Sequence, residues 1–460
     1  MVDDLAISDA HHAPIAKPQQ RSHRGSARTV LWGARWPGDI AIEGGIITAI
    51  GHVDPRRGDK RIDCSGKIVT AGLVNSHHHL YQWLTRGQAV NEGLFGWLRA
   101  LYPVWAKLDP EDVHVAALVG LAELACSGAT TVADHHYVVP GGDDSVFDAI
   151  AAAATRVGLR LHLSRGSMDL GESSGGLPPD SVVEDTDAIL ASTQAVASRL
   201  HDGERIWINV APCSPFSVSS ELLAGSAELA RKLGLRLHTH LAETLDEERS
   251  CLERFGQRPV ALLAELGWTG SDVWFAHGVH LDRDEVARLG ETKTAIAHCP
   301  SSNARLASGI CPVVDLRQAG SPVGLGVDGA ASNEVGALQP EMRQALYFAR
   351  LRSLDATAFQ PADSLEIATA GGAGCLGIGD VGVLQIGAKA DLAIWPADDL
   401  DDIADPVAAL VLGPDRKVSM LLVGGEVVVD QGNPVAIDLH EVHRALSRRA
   451  CKLWPDAPRG

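Results

Sequence analysis

Between residues 68 and 328 the chain alternates. Eight short apolar runs read as strands, at 68–73, 130–136, 159–165, 207–212, 235–240, 273–277, 295–298 and 323–328, and segments with helical periodicity lie between them. Strand–helix alternation repeated eight times within residues 71–381 predicts an α/β fold, a (β/α)8 TIM-like barrel. A doubly wound open sheet is the other architecture the pattern allows. Gly324-x-Gly326-x-x-Gly329 matches the dinucleotide fingerprint that would favour the open sheet. It falls in the eighth unit, however, and no acidic strand end follows about 20 residues later, so the barrel is expected. The segment after Asp109 illustrates the helices: Asp109 suits an N-cap, Pro110 the first turn, and Val113, Ala117, Leu121 and Leu124 form one apolar stripe ending before Gly128.

The ends read differently. Residues 29–70 are strand-like and broken by glycines, with Gly44-Gly45 between β-branched runs as a hairpin signal. A matching piece, including Gly424-Gly425, recurs near the other end. Residues 27–70 and 382–435 are therefore expected to build one composite β-sandwich, with 436–460 as a C-terminal helix or tail. Residues 1–26 are polar, lack the apolar core of a signal peptide, and read as a flexible tail. No apolar run reaches the roughly 18 residues of a membrane helix. The net charge of -18 disfavours a nucleic acid polymer as partner. The eight cysteines are scattered without a C-x-x-C pair, which suits free thiols in a reducing cytoplasm.

In such a barrel, reacting groups sit at the C-terminal ends of the strands. The first run leads into Val74-Asn75-Ser76-His77-His78-His79. Residues i and i+2 of a strand share a face, so His77 and His79 point together and His78 points away. A His-x-His pair alone is as compatible with a surface histidine run as with half a metal site. The fifth run ends in His238-Thr239-His240-Leu241-Ala242-Glu243, the sixth in Ala276-His277 and the eighth in Val327-Asp328. Four strand ends carrying metal-ligand or proton-carrying types favour a metal site. His238, one layer deeper than His240, reads as a packed, hydrogen-bonded histidine. His135, His136 and His298 end other strands without a role the sequence assigns. His280, His440 and His443 read as surface residues, and His440-Glu441-x-His443 lacks the spacing of a zinc protease.

This constellation resembles the amidohydrolase superfamily, over nearly the whole chain. The resemblance implies that His77, His79, His240 and Asp328 bind one divalent metal, Zn²⁺ or Fe²⁺, to which imidazole and carboxylate are suited. Relatives with two metals carry a bridging lysine at the end of strand four. Residues 209–215 have none, so one metal per chain is expected. It further implies that Asp328 acts as base towards a metal-acidified water, that His277 orients that water or the developing alkoxide, and that Glu243 protonates a ring nitrogen of the substrate. The reaction would be hydrolytic deamination of an amino-heterocycle. The other zinc deaminase fold needs H-x-E with P-C-x-x-C, which Pro212-Cys213-Ser214-Pro215 does not complete.

Within the superfamily the chain looks most like the 8-oxoguanine deaminases, in blocks at 75–85, 94–105, 165–180, 211–215 and 298–306. The expected substrate is a small heterocycle, 8-oxoguanine, converted to urate and ammonia. By the same resemblance Gln82 would read a carbonyl or ring N–H, and Cys213 and Arg165 would line the pocket with Glu243 and His277. One departure stands out: Ala330 and Glu334 replace the Ser and Asp more usual in that group, and Ala330-Ala331-Ser332-Asn333-Glu334 is similar to isoxanthopterin deaminases. Isoxanthopterin, guanine and hydroxyatrazine-type substrates are the alternatives, and barrels of this family often form homo-oligomers. A non-catalytic structural homologue would be expected to lack one of the site residues, and all are present.

Overall fold

The structure is a computed structural model describing residues 28–400 and 402–454. The tail expected at 1–26 and the last six residues lie outside these. The strands are, in chain order, β1 (Thr29–Trp32), β2 (Asp39–Glu43), β3 (Ile46–Gly51), β4 (Lys60–Asp63), β5 (Lys67–Ala71), β6 (Leu73–Asn75), β7 (Ala129–His136), β8 (Arg160–Ser167), β9 (Ile206–Pro212), β10 (Leu237–Leu241), β11 (Val273–His277), β12 (Ala295–His298), β13 (Val323–Leu325), β14 (Leu392–Pro396), β15 (Met420–Val423), β16 (Glu426–Asp430) and β17 (Asn433–Pro434). β6 to β13 pair in parallel and in sequence order, and β13 returns to β6. The result is the expected closed eight-stranded barrel.

The first apolar run is two strands rather than one. β5 pairs antiparallel with β14 in a sheet outside the barrel, whereas β6 belongs to the barrel. Gly72 makes the crossing. Its N–H donates to the Asp391 carbonyl at 2.8 Å, and a Cβ there would stand 2.3 Å from the Thr130 side chain. Both sides of Gly72 are apolar, so hydrophobicity alone does not mark the break.

The ends of the chain build a four-stranded sheet, β3-β2-β1-β4, and a five-stranded one, β17-β16-β15-β14-β5. Leu31, Ile40 and Ile47 from one end share a core with Leu392, Ile394 and Leu422 from the other. Burying each such side chain is worth about 1.5–3 kcal/mol, which holds together sheets too small to persist alone. A buried ion pair fastens this unit to the barrel: Arg160 on β8 donates to Asp391 at 2.7 and 3.0 Å, and Gly424 N–H donates to the same carboxylate at 2.6 Å.

Two helices follow β6. The first, α1 (Leu94–Trp105), lies beside the open end of the barrel, and the second is α2 (Pro110–Cys126). Asp109 caps α2 by accepting from Asp112 N–H, and the stripe Val113, Ala117, Leu121 and Leu124 is fully buried. Among the described residues no helix is long and apolar enough to cross a membrane.

Candidate active site

His77 and His79 follow β6 directly, and His240 lies on β10. The tautomer of each ring follows from what its Nδ1 meets. His79 Nδ1 faces the His135 carbonyl at 2.6 Å and His240 Nδ1 the Cys213 carbonyl at 2.6 Å. A carbonyl only accepts, so each Nδ1 carries the hydrogen and each Nε2 a lone pair. His77 reaches the same state through a relay: His238 Nδ1–H donates to the Trp274 carbonyl at 2.9 Å, and His238 Nε2 accepts from His77 Nδ1–H at 2.9 Å. Burial pulls His77, His238 and His240 well below the usual histidine pKa, which keeps these rings neutral.

Three lone pairs therefore converge. His79 Nε2 and His240 Nε2 lie 3.0 Å apart, and Asp328 Oδ1 is 3.3 Å from His77 Nε2 and 3.2 Å from His79 Nε2. Buried acceptors facing acceptors repel one another unless a cation stands between them. Ligands of a tetrahedral zinc at 2.0–2.1 Å stand about 3.3 Å from one another, close to these spacings. His77, His79 and His240, together with Asp328, thus fit one divalent metal, and they fall within two overlapping buried groups of potential ligands. His78 turns away and its Nδ1 bonds to the Asp328 carbonyl.

Two of the expected site residues adopt left-handed backbone, His277 at φ 74° and Asp328 at φ 60°. Such conformations cost on the order of 1–3 kcal/mol for residues other than glycine, so neighbouring contacts must hold them. Ser302 Oγ–H donates to Asp328 Oδ2 at 2.5 Å, and Gly329 N–H donates to Oδ1 at 2.8 Å. Asn303 Oδ1 accepts from His277 Nδ1–H at 2.9 Å. His277 Nε2 then faces Glu243 Oε2 at 3.6 Å and Asp328 Oδ2 at 4.0 Å. Burial raises Glu243 above the ordinary carboxylate pKa, against the opposing pull of His277. Burial alone would lower His277, but Glu243 and Asp328 outweigh it and raise its pKa. Glu247 holds the Glu243 loop, accepting from Ala242 N–H at 2.9 Å and Glu243 N–H at 2.8 Å.

Above these groups is a recess, here called the slot, with about 390 Å³ of empty space. His79, His240, Glu243, His277 and Asp328 lie along it, with Gln82 and Cys213. Arg165, expected in the pocket, is elsewhere. On β8 it pairs in register with His136, while Ser164 pairs with His135. Alternation turns Arg165 and His136 outward, where Arg165 bonds Glu184 at 2.7 Å and covers the Phe147 ring. His135 points inward, stacks on His240 and donates from Nε2 to the Ala211 carbonyl. His298 is buried outside the slot, and burial lowers it to about 3. His280, read from sequence as a surface residue, is half-buried and donates to the Ser308 carbonyl, while Ser308 Oγ–H donates to Glu243.

Trp97 and Tyr102 on α1 fell within the block 94–105 without a role of their own, and Tyr137 and Phe216 were not named, yet all four line the slot. Tyr137 was within reach: it continues the alternation that sends His135 inward and His136 outward. α1 offered no comparable signal, since seven of its twelve residues are buried. The glycines of the false fingerprint have a different use. A Cβ at Gly326 would stand 2.9 Å from His77 Cβ, and one at Gly329 would stand 1.8 Å from Gln82 Oε1. They let the chain beyond β13 approach His77 and Gln82, which follow β6.

The amidohydrolase family profile matches residues 68–428, and the chain belongs to that family. It is 48% identical over 423 residues to an 8-oxoguanine deaminase of Pseudomonas aeruginosa, covering 89% of this chain and 94% of that one. It is 38% identical over 425 residues to an isoxanthopterin deaminase of an unknown prokaryotic organism, covering 86% and 88%. Among solved structures, the zinc-complexed atrazine chlorohydrolase of Arthrobacter aurescens superposes with a TM-score of 0.86 at 32% identity, over 92% of this chain and 100% of that one.

Proposed function

We propose that this chain is a metal-dependent aminohydrolase that converts 8-oxoguanine and water to urate and ammonia. The observation that carries the reaction class is a buried carboxyl, Glu243, 3.6 Å from His277 Nε2 and lining the same recess as Asp328. His77, His79, His240 and Asp328 would hold a divalent metal, which would supply water acidified to a pKa of about 7. Asp328 is placed to take a proton from the attacking water. Glu243 gives its proton to the ring nitrogen beside the amino-bearing carbon, which makes that carbon electrophilic. His277 Nε2 faces both carboxylates, from where it orients the reacting water or the developing alkoxide while protons pass to the departing amine. Each positioned acid or base of this kind is worth about 10²- to 10⁴-fold.

The choice of 8-oxoguanine rests on the 48% identity to an 8-oxoguanine deaminase, and one structural observation favours it over isoxanthopterin. Neither Ala330 nor Glu334, where the sequence departs towards the isoxanthopterin group, is among the residues lining the slot. Glu334 instead accepts from Arg305 at 3.0 Å. Ammonia release from metal-replete protein, offered 8-oxoguanine, isoxanthopterin, guanine and hydroxyatrazine side by side, tests this reading. A preference for isoxanthopterin or hydroxyatrazine overturns the substrate, and no release from any of them overturns the assignment.

The eight free cysteines, seven of them buried, support a reducing, cytoplasmic setting. Fractionation of the native host tests that placement. Pairing into a homo-oligomer, expected from the resemblance, is read from the solution mass: a monomer at micromolar concentration contradicts it.

A further inference from the structure

The slot offers two buried polar groups that the protein itself does not satisfy and that the chemistry above does not use. Gln82 leaves its amide oxygen and nitrogen without a well-formed hydrogen bond, with only the Tyr81 hydroxyl as polar neighbour, and the Tyr102 hydroxyl has only the weakly bonding Cys213 thiol beside it. Both side chains are about 1% exposed and both line the slot. An unsatisfied buried polar group costs about 1–3 kcal/mol, a cost removed when a ligand supplies the partner.

The two stand on opposite sides. Gln82 lies against Gly329, just beyond β13. Tyr102, on α1, lies beside the Cys213 thiol, just beyond β9. In the closed ring of eight strands β9 and β13 are four places apart, so the two groups approach the slot from opposite strand ends. A flat ligand spanning the slot therefore meets Gln82 at one edge and Tyr102 at the other. Resting on the proposed deamination, the six-membered ring lies with its amino-bearing carbon over the metal ligands and Glu243. The five-membered ring and its carbonyl then extend across the mouth.

We infer that Tyr102 is a specificity-determining residue, whose hydroxyl donates to the carbonyl of the five-membered ring, while Gln82 reads the six-membered ring that oxidised and ordinary guanine share. A phenol is well matched to that edge, because it donates to a carbonyl and still accepts from a neighbouring ring N–H. It also explains why a buried tyrosine, rather than phenylalanine, stands in an otherwise apolar stretch of α1 with Leu94, Trp97 and Leu98.

The test is Tyr102→Phe in the metal-replete protein, assayed with 8-oxoguanine and with guanine, the latter as competitive inhibitor where it is not turned over. Gln82→Leu is the reciprocal control. The expected result is a loss of about tenfold in kcat/KM for 8-oxoguanine, equivalent to one hydrogen bond, with the guanine value changed less than about threefold. Gln82→Leu is expected to weaken both. A melting temperature equal to or above wild type is expected in Tyr102→Phe, because the ring contact with Trp105 remains and a poorly partnered buried hydroxyl is removed. Equal losses on both ligands, or none on 8-oxoguanine, overturn the role of Tyr102 and leave the proposed reaction standing. A wild-type protein that does not turn over 8-oxoguanine overturns the reaction, and this inference with it.

Discussion

His77 Nδ1 and His238 Nε2 lie 2.9 Å apart, and His238 in turn donates to the Trp274 carbonyl. That contact sets which nitrogen of His77 faces the candidate metal position. His238 touches no substrate-lining surface, yet without its lone pair the His77 tautomer is free to change. Removing a partner that orients a ligand typically weakens metal retention about 10- to 100-fold. His238→Phe is expected to lose metal to a competing chelator at correspondingly lower chelator concentration. Retention equal to wild type would contradict the relay.

On the proposed mechanism Asp328 and Glu243 carry the proton transfers. Asp328→Asn and Glu243→Gln are each expected to lower kcat by at least about 10²-fold, with the circular dichroism spectrum and melting transition retained. Near-normal turnover in either variant would sink the mechanism.

Asp391 accepts from Arg160 inside the seam between the barrel and the terminal sheets. Asp391→Ala leaves the Arg160 guanidinium buried and unpaired, a change that costs about 3–5 kcal/mol. The expected outcome is a large drop in the denaturant midpoint. A change below about 1 kcal/mol would mean that the pair behaves as a solvated surface contact.

Asp134 is buried, and burial raises its pKa to about 7 against the opposing Leu80 N–H bond. The folded value lies above the unfolded one, near 4. Its contribution to stability is therefore fully present below pH ~4 and lost as pH rises to about 7. Asp134→Asn mimics the protonated form. The variant is expected to match wild type near pH ~4 and to exceed it above pH ~7 by roughly 1–4 kcal/mol. A difference that does not vary with pH would contradict the shift.

The sequence displayed most of this architecture because barrel strands carry their own signals. Each is an apolar run of one period, and the ends at His77, His79, His240, His277 and Asp328 carry residue types rarely left in apolar surroundings without a partner. Gly72 was not legible as a break, because what separates β5 from β6 is a close approach to Thr130, a tertiary contact. Arg165 was misread because a resemblance fixes the block but not the face. Only pairing with His136 reveals that the side chain points outward. Ser302 and Asn303 were visible as a block, but their bonds to Asp328 and His277 depend on how the loops after β12 and β13 meet. Tyr102 comes from a helix outside the barrel repeat, where no periodic argument reaches.

The central claim is that the lone pairs of His77, His79 and His240, with Asp328, hold one metal on which turnover depends. The most direct measurement titrates Zn²⁺ into chelator-stripped protein while following urate formation from 8-oxoguanine. The account predicts no activity without metal, a linear rise, and a sharp break at one equivalent per chain. Full activity in metal-free protein, or a break at two equivalents, would contradict it.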